Sequence, residues 1–348
     1  MITDNFSKKI IKKEKIKICF VGVLSMDRAS DRIFSKTFSF FLNKLDNCES
    51  ILIDDISEKN NCDIAIFKKN YPIKKLKRII KIKPNFLVGI INPSDNEKER
   101  LNIADFAIVG SVEEKAYYSK YVKCFIYPLI EEINEKYIKG IECRPKKIIC
   151  YHGNKQHLDF ININIENALK RLTREGYEFK AIYDYKKLGK CKKSFITKHI
   201  QWNQDTWLDE ISNSSVGICP TTHYTGLLRN KLAKFIARKR ILRNDYLLQF
   251  KNTSNASRAF IFHQLKIPVV AEIGGSFHHL LGDETAGFLC YSEESWHESI
   301  SRLCEDNELN TRFSDKAFIL MKNLYDPIQW SRRFIMDIKY WLLTDKNK

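Results

Sequence analysis

Hydrophobic positions along the first part of the chain follow two alternating patterns. Short unbroken apolar runs recur, and apolar residues at helical spacing separate several of them. An unbroken run with polar borders is typical of a strand buried on both faces of a parallel sheet. We assign strands to residues 16–24, 50–54, 63–68, 85–91, 106–109 and 124–127. Strands that alternate with helices, such as the one at residues 31–45, predict a parallel, doubly wound sheet.

The same alternation resumes after residues 141–147, a segment with Pro145 that is typical of an interdomain linker. The strands of this second series lie at residues 147–151, 179–183, 197–201, 216–220 and 268–271. Helical spacing predicts the longer helices at residues 159–175, 204–212, 293–305, 307–324 and 331–343. The sequence therefore predicts an α/β protein with two doubly wound domains.

Length and composition agree with two globular domains. The chain has 348 residues, of which 44% are hydrophobic, and this is enough to bury two sizeable cores. No apolar run is long enough for a transmembrane helix. The charged first residues lack the apolar core and cleavage site of a signal peptide, so we expect a cytoplasmic protein.

The ten cysteines are scattered and form no Cys-x-x-Cys pair. Several of them lie within apolar, strand-like runs. This distribution predicts reduced, mostly buried thiols, as in the cytoplasm, and no zinc site.

The net charge of +17 has two interpretations: an anionic partner, or a lysine-rich background composition. Basic and apolar residues interleave in residues 221–250 and 73–83, so each segment is a candidate for an anionic membrane surface. Each can equally pack on the protein with its charges in water. No zinc finger, aromatic stacking ladder or arginine-rich recognition pattern is present, so we expect no nucleic-acid partner.

Residues 251–289 form the most informative stretch. A predicted helix precedes the strand at residues 268–271, and a glycine-containing loop with Gly274 and Gly275 then opens another helix. Loops at the carboxyl ends of parallel strands are where ligands bind in open α/β sheets. Glycines allow close backbone approach, and a helix start attracts phosphate. Lys251 and Arg258 flank the first helix start and add charge for a diphosphate, although the stretch also fits an ordinary helix–strand–helix unit.

This stretch resembles the donor-domain signature of GT-B glycosyltransferases of group 1, family 4-like. Lys266-Ile-Pro268-Val-Val-Ala271, Gly274-Gly275 and Gly287-Phe-Leu289 match that signature in order and spacing. The upstream KNTSNASRA resembles a Lys-Ser-x-x-x-Arg variant of the family. The resemblance implies two Rossmann-like domains that face a cleft. Residues 1–142 would form the acceptor domain, residues 147–330 the donor domain, and residues 331–348 a helix that crosses back to the first domain.

The resemblance also implies an activity. The chain would be a hexosyltransferase-type enzyme that uses a UDP- or GDP-sugar without a metal ion or other cofactor, with retention of configuration. Its acceptor would be a glycan, a lipid-linked glycan or a surface-polysaccharide precursor. This places the protein in the cytoplasm, with a possible peripheral location on the inner face of the membrane.

The sequence shows two departures from the family pattern. The paired glutamates of the family would fall at Thr253 and Ile261, and the glutamate after Gly-Gly is replaced by His278. In the family these carboxylates help to hold the ribose and sugar of the donor. Two alternatives therefore stay open: a GT-B-fold sugar-nucleotide epimerase, and a catalytically silent module that binds sugar-nucleotides or membranes.

The candidate site residues follow from the resemblance and from their places at strand ends. The donor-binding candidates are Gly153, Asn154, Lys155, Lys251, Ser254, Asn255, Arg258, Glu272, Gly274, Gly275, Ser276 and His278. Asn154 fits a phosphate contact or a cap of the next turn equally well. His152 is a catalytic candidate, although a lone histidine is more often structural, and Asp27 is the candidate general base of an inverting reaction. A retaining reaction needs no such base, because the leaving phosphate can accept the proton.

Overall fold

The computed structural model describes residues 10–22, 32–56, 61–82, 86–93, 98–138, 147–221 and 256–344. These residues form two compact units. The first contains the described residues up to Glu132 and those from Tyr325 onward, and the second extends from Ile133 to Leu324. The units are thus divided at residues 133 and 325, whereas the sequence pattern places the divisions near residues 142 and 331.

The first unit is built on a six-stranded parallel sheet in the order β2-β1-β3-β4-β5-β6. Its strands are β1 Ile16–Val21, β2 Cys48–Ile53, β3 Ile64–Lys68, β4 Leu87–Ile91, β5 Phe106–Val109 and β6 Lys123–Ile126. Every residue of β4 and β5 is buried, whereas the edge strands β2 and β6 are partly exposed. Burial on both faces explains why the sequences of the inner strands are continuous apolar runs.

Helices cover the first sheet. They are α1 Phe38–Leu42, α2 Ile73–Ile82, α3 Lys98–Leu101 and α4 Val112–Tyr118, and a π-helical segment, Arg32–Thr37, leads into α1. The helix that the sequence predicts at residues 31–45 is therefore shorter and irregular. The buried side chains of Arg32 and Glu131 form an ion pair, which ties this segment to the chain after β6.

The last helix of the chain packs against the first sheet. Phe334 makes an edge-to-face contact with Phe38 of α1, at a centroid distance of 5.2 Å. The helix also contributes Ile335, Ile338 and Trp341 to the same hydrophobic core. It begins at Pro327, earlier than the predicted start at residue 331, because proline is well suited to the first turn of a helix. Its bounds are Pro327–Thr344.

The second unit is built on another six-stranded parallel sheet, in the order β9-β8-β7-β10-β11-β12. Its strands are β7 Ile148–His152, β8 Glu178–Tyr183, β9 Lys198–Gln201, β10 Val216–Cys219, β11 Val269–Glu272 and β12 Gly287–Cys290. Counted within the unit, this order is 3-2-1-4-5-6, so the direction of winding reverses between β7 and β10. The carboxyl ends of those two strands form the crevice in which doubly wound sheets bind ligands.

Helices α5 to α12 surround the second sheet. They are α5 Gln156–Asp159, α6 Ile163–Arg174, α7 Tyr185–Leu188, α8 Trp207–Ser212, α9 Ser257–Gln264, α10 Gly275–Leu281, α11 Glu293–Glu305 and α12 Asn307–Leu324. Asn162 caps α6, and Ser292 forms a capping box with Ser295 at the start of α11. These caps satisfy backbone N–H groups that a helix start leaves unpaired. In chain order, the helix Pro327–Thr344 of the first unit is α13.

The predicted fold class is confirmed, because both units are parallel α/β sheets with flanking helices. Among the described residues, no helix combines the length and apolar character that a membrane span requires. All nine cysteines within the described ranges are buried thiols.

Candidate functional site

The carboxyl edge of the second sheet brings together several of the residues that the sequence singles out. Gly153 follows β7, Pro220 and Thr221 follow β10, and Gly274 follows β11. Arg258 lies in the first turn of α9, which packs against β10. These positions coincide with the reversal of strand order, so we take this edge as the candidate site.

The close packing of α9 on the sheet depends on Gly217 in β10. A Cβ atom at Gly217 would lie 2.4 Å from Cγ of Phe262, a residue of α9. Only glycine leaves room for this ring against the strand. Gly217 therefore sets the position of α9 and, with it, the position of Arg258.

Arg258 links the ends of the two central strands. Its Nη2 donates a hydrogen bond of 2.7 Å to the carbonyl oxygen of Pro220, after β10. Its guanidinium carbon lies 5.6 Å from the ring centroid of Tyr151 in β7, within the range of a cation–π contact. Its Nη1 atom is buried and has no well-aligned hydrogen-bond partner in the part of the chain that the structure describes. Nη2 of the Arg258 guanidinium is therefore hydrogen-bonded, whereas Nη1 is available for a further acceptor.

His152, the last residue of β7, holds the backbone of Arg258. Its Nε2 lies 3.2 Å from the carbonyl oxygen of Arg258, so the neutral ring carries its proton on this nitrogen and donates it. The ring is buried and also contacts Phe262, at a centroid distance of 4.8 Å. Burial lowers the pKa of His152 to about 3, against the opposing effect of the hydrogen bond to Arg258. The imidazole is therefore neutral near pH 7, and its catalytic role stays a prediction.

The loop after β7 is ordered by its own hydrogen bonds. Gly153 has a φ of +135°, and a Cβ atom there would lie 3.2 Å from Cδ of Arg258, so the backbone requires glycine. The Asn154 side chain accepts a hydrogen bond from the backbone N–H of Gln156, at 2.9 Å. The Lys155 ammonium donates to the carbonyl oxygen of Leu188, at 3.1 Å. Asn154 thus caps the turn, and Lys155 extends to the C-terminal end of α7.

Glu272, the last residue of β11, is buried and bound to the chain after β10. Its Oε2 accepts hydrogen bonds from the backbone N–H of Thr221, at 2.9 Å, and from the Thr221 hydroxyl, at 2.5 Å. Its Oε1 lies 3.4 Å from Nδ2 of Asn162. This carboxylate fixes the ends of β10 and β11 relative to α6. We therefore assign Glu272 a positioning role at the strand ends.

The Gly-Gly loop leads directly into α10. Gly274 occupies the N-cap position with extended backbone, φ −164°, which any residue can adopt. A Cβ atom at Gly274 would meet nothing closer than 3.7 Å. Neither conformation nor packing requires glycine here, so the space beside Gly274 is open. Gly275 is the first residue of α10, Ser276 lies in its first turn, and His278 is exposed.

Some candidates lie outside the described residues. These are Asp27, Lys251, Ser254 and Asn255, together with nearly all of the basic segment 221–250. α9 begins at Ser257, and Ala256 holds its N-cap position without a side-chain hydrogen bond.

The sequence did not reveal two residues that shape the site, Tyr151 and Thr221. The Tyr151 hydroxyl donates to the carbonyl oxygen of Asn154 at 2.6 Å, and its ring faces Arg258. Burial raises the pKa of Tyr151, so the hydroxyl stays protonated. The only available signal was their location at the ends of predicted strands. No group of three or more His, Cys, Asp or Glu side chains within the described ranges is arranged to hold a metal ion.

Comparison with known proteins addresses the fold. No protein-family model matches the chain, and no curated protein matches it by sequence. Solved structures do match. Sucrose-phosphate synthase from Thermosynechococcus elongatus has a TM-score of 0.60 at 10% identity, over 95% of this chain and 100% of that one. A glycosyltransferase from Rickettsia africae has a TM-score of 0.58 at 13% identity, over 96% and 100%.

A third match is a TarM variant from S. aureus, solved in complex with Fondaparinux, alpha-GlcNAc-glycerol and UDP. Its TM-score is 0.53 at 13% identity, over 80% of this chain. The present chain spans 55% of that protein's chain. These neighbours share two parallel α/β units.

The chain has the GT-B fold. In GT-B terms, the second unit is the C-terminal α/β domain, and its carboxyl edge holds Arg258, Glu272 and Gly274. α13 belongs with the N-terminal α/β domain, since its buried face completes that domain's core.

Proposed function

We propose that the chain is a glycosyltransferase that moves a sugar from a nucleotide-sugar to a glycan, a lipid-linked glycan or a surface-polysaccharide precursor. The proposal includes a UDP- or GDP-sugar donor, retention of configuration and no need for a metal ion. It is supported by the GT-B fold and by the residues at the carboxyl edge of the second sheet.

The unsatisfied Nη1 of Arg258 is the observation that carries the proposal. A buried, charged N–H group without a partner costs free energy, so its presence at a strand-end crevice calls for a ligand acceptor. A diphosphate supplies such an acceptor and matches the planar geometry of a guanidinium. During transfer, negative charge develops on the leaving diphosphate. A fixed Arg258 would stabilise that charge without reorganisation.

The open space at Gly274 supports the same ligand. Gly274 leaves space at the N-cap position of α10. The fold itself does not require glycine there, since a Cβ atom would fit. Backbone N–H groups at this helix start are accessible partners for phosphate oxygens. Arg258 is bonded to Pro220 at the end of β10, and Gly274 follows the neighbouring strand β11, so we assign both to one anionic group.

This chain lacks the glutamates with which the family pattern holds the donor, so turnover of the donor has to be tested. Ile261, where the second glutamate of the family pattern would fall, is buried within α9. A carboxylate contact to the donor ribose from that position is therefore absent in this chain. Binding of a nucleotide-sugar and its turnover must be measured separately, because a silent module would show only the first.

The test is a thermal-shift panel of UDP-, GDP-, ADP- and CMP-sugars, followed by measurement of released nucleotide with and without an acceptor extract. Saturation at one hundred times Kd should stabilise the native protein by about 2.7 kcal/mol. We expect one nucleotide class to give this shift. Release of nucleotide that requires the acceptor supports transfer, whereas turnover of donor alone supports the epimerase.

Arg258→Ala is the informative variant, and Arg312→Ala, an exposed arginine on α12, is its matched control. Loss of a charge-assisted contact should weaken nucleotide binding by roughly tenfold to a hundredfold in Arg258→Ala alone. Equal shifts in wild type and Arg258→Ala, or no shift with any nucleotide, would contradict the donor site.

A membrane partner through residues 73–83 stays a prediction. Within α2, Lys75 pairs with Asp55 at 3.0 Å and Lys77 pairs with Glu99 at 2.6 Å. Leu76 is buried against the first unit. These contacts favour the interpretation of α2 as a helix that packs on the protein with its charges in water.

A further inference from the structure

The outer face of α13 carries an apolar stripe in addition to the face buried in the core. Met336, Tyr340 and Leu343 are 63%, 68% and 55% exposed. Their spacing, i, i+4 and i+7, places them along one side of the helix. α13 is therefore apolar on two sides, and only the inner one has a partner among the described residues.

Basic residues lie beside Tyr340 of this stripe. A surface cavity of about 240 Å³ lies between α13, α4 and β6, and its polar lining consists of Lys115, Lys123, Arg333, Tyr340 and the single carboxylate of Asp337. Lys115 and Lys123 are exposed and form no ion pair within the described part of the chain. The Arg333 guanidinium lies 5.0 Å from the ring centroid of Trp330 and forms an ion pair of 3.7 Å with the half-exposed Asp337. The cavity thus offers positive charge beside exposed apolar side chains.

The chemistry of this surface identifies the occupant. A soluble phosphate would use the cations but not the apolar stripe. A second copy of the chain would bring another net charge of +17 against it, which opposes association. Three side chains expose on the order of 300 Å², well under the roughly 800 Å² that each partner buries in a stable protein complex. An anionic lipid surface uses both features, because phosphate headgroups meet cations while apolar side chains enter the headgroup boundary.

We propose that α13 and the cavity beside it, which together we call the α13 surface, form a docking site for anionic phospholipid. A headgroup phosphate occupies the cavity at Lys115, Lys123 and Arg333. Met336, Tyr340 and Leu343 enter the interface. The site lies within the first unit and does not depend on the proposed donor chemistry.

The test is sedimentation of the full chain with vesicles, without any measurement of activity. We compare phosphatidylcholine vesicles with vesicles in which about one third of the lipid is phosphatidylglycerol, over a series of salt concentrations. Binding should require phosphatidylglycerol and weaken as salt rises. Lys115→Gln/Lys123→Gln/Arg333→Gln should reduce partitioning by about fivefold for each cation, on the order of a hundredfold in total.

A second variant, Met336→Ser/Tyr340→Ser/Leu343→Ser, tests the stripe. The matched charge control is Lys74→Gln/Arg78→Gln/Lys81→Gln, which removes three exposed cations from α2. Both α13-surface variants should lose binding while the α2 variant keeps it, with thermal unfolding unchanged in all three.

Five results would overturn the proposal. They are equal binding to neutral vesicles, loss of binding in the α2 variant alone, and full binding by either α13-surface variant. The fourth is a change of oligomeric state in the stripe variant, which would identify a second copy as the occupant. Complete competition by soluble glycerol phosphate, with no effect of the stripe variant, would identify a soluble-anion site instead.

Discussion

His263 predicts a specific loss of stability in acid. The residue lies in α9, is fully buried, and neither ring nitrogen has a well-aligned hydrogen-bond partner among the described residues. Burial lowers the pKa of His263 from its ordinary value of 6.5 to about 3, opposed by the backbone of Ala286. The native ring is therefore neutral, whereas the ring of the unfolded chain takes up a proton below pH 6.5.

The direction and size of the pH effect on the free energy of unfolding follow from proton linkage. The stability that the neutral ring permits is fully present above pH 6.5 and is lost as pH falls from 6.5 towards 3. Between pH 7.5 and pH 5.0, His263 alone should lower the free energy of unfolding of the second unit by about 2 kcal/mol. His263→Leu removes the titrating ring from both states, so the pH-dependent loss should shrink by that amount. His152 titrates in wild type and variant alike and cancels from the difference.

The assay is urea unfolding of wild type and His263→Leu, monitored by circular dichroism at both pH values. His279→Gln, which removes an exposed histidine from α10, is the control and should lose as much stability in acid as wild type. If His263→Leu loses the same free energy between the two pH values as wild type, the buried neutral ring does not govern acid stability, and the reasoning fails.

Two further predictions concern the second unit. Lys180 is buried in β8 and donates to the carbonyl oxygens of Asn213, at 2.8 Å, and Glu210, at 3.3 Å, at the end of α8. Lys180→Met should therefore lower the free energy of unfolding by about 2 kcal/mol in chemical denaturation, and exposed Lys186→Met should leave it unchanged. Gly274→Ala should cost less than about 1 kcal/mol of stability but reduce the nucleotide-induced thermal shift. Gly217→Ala should instead cost about 2 kcal/mol, because its Cβ atom meets the Phe262 ring; equal losses at the two glycines would refute this distinction.

The sequence predicted the order of strands and helices well, because parallel inner strands read as continuous apolar runs. β5 falls at the predicted residues 106–109, and α11 and α12 have the predicted bounds. The helical segment after β1 was predicted less accurately. Its apolar spacing indicated one regular helix, whereas the Arg32–Glu131 ion pair joins residues 99 positions apart, which no local pattern discloses.

The site was predicted less completely than the fold. Arg258 and Gly274 were predicted from residue type and from their places near strand ends. The partnership of Thr221 with Glu272 was not, because it joins residues 51 positions apart across two strand ends. Lys155 was chosen as a phosphate ligand from its loop position; its ammonium donates to the carbonyl oxygen of Leu188, and its donor-binding role stays a prediction. The direction of a side chain depends on such tertiary contacts, and the local spacing of residues in the sequence does not predict it.

The buried thiols allow the unfolding of each unit to be followed by chemical modification. The first unit encloses Cys19, Cys48, Cys62 and Cys124, and the second encloses Cys150, Cys191, Cys219, Cys290 and Cys304. Burial raises the pKa of Cys48 and of Cys219 to about 12, which suppresses the reactive thiolate in the native state. An alkylating reagent thus modifies these positions only after the surrounding core opens. Mass spectrometry of the tagged peptides then times the opening of the two units separately, within a single sample and without any engineered label.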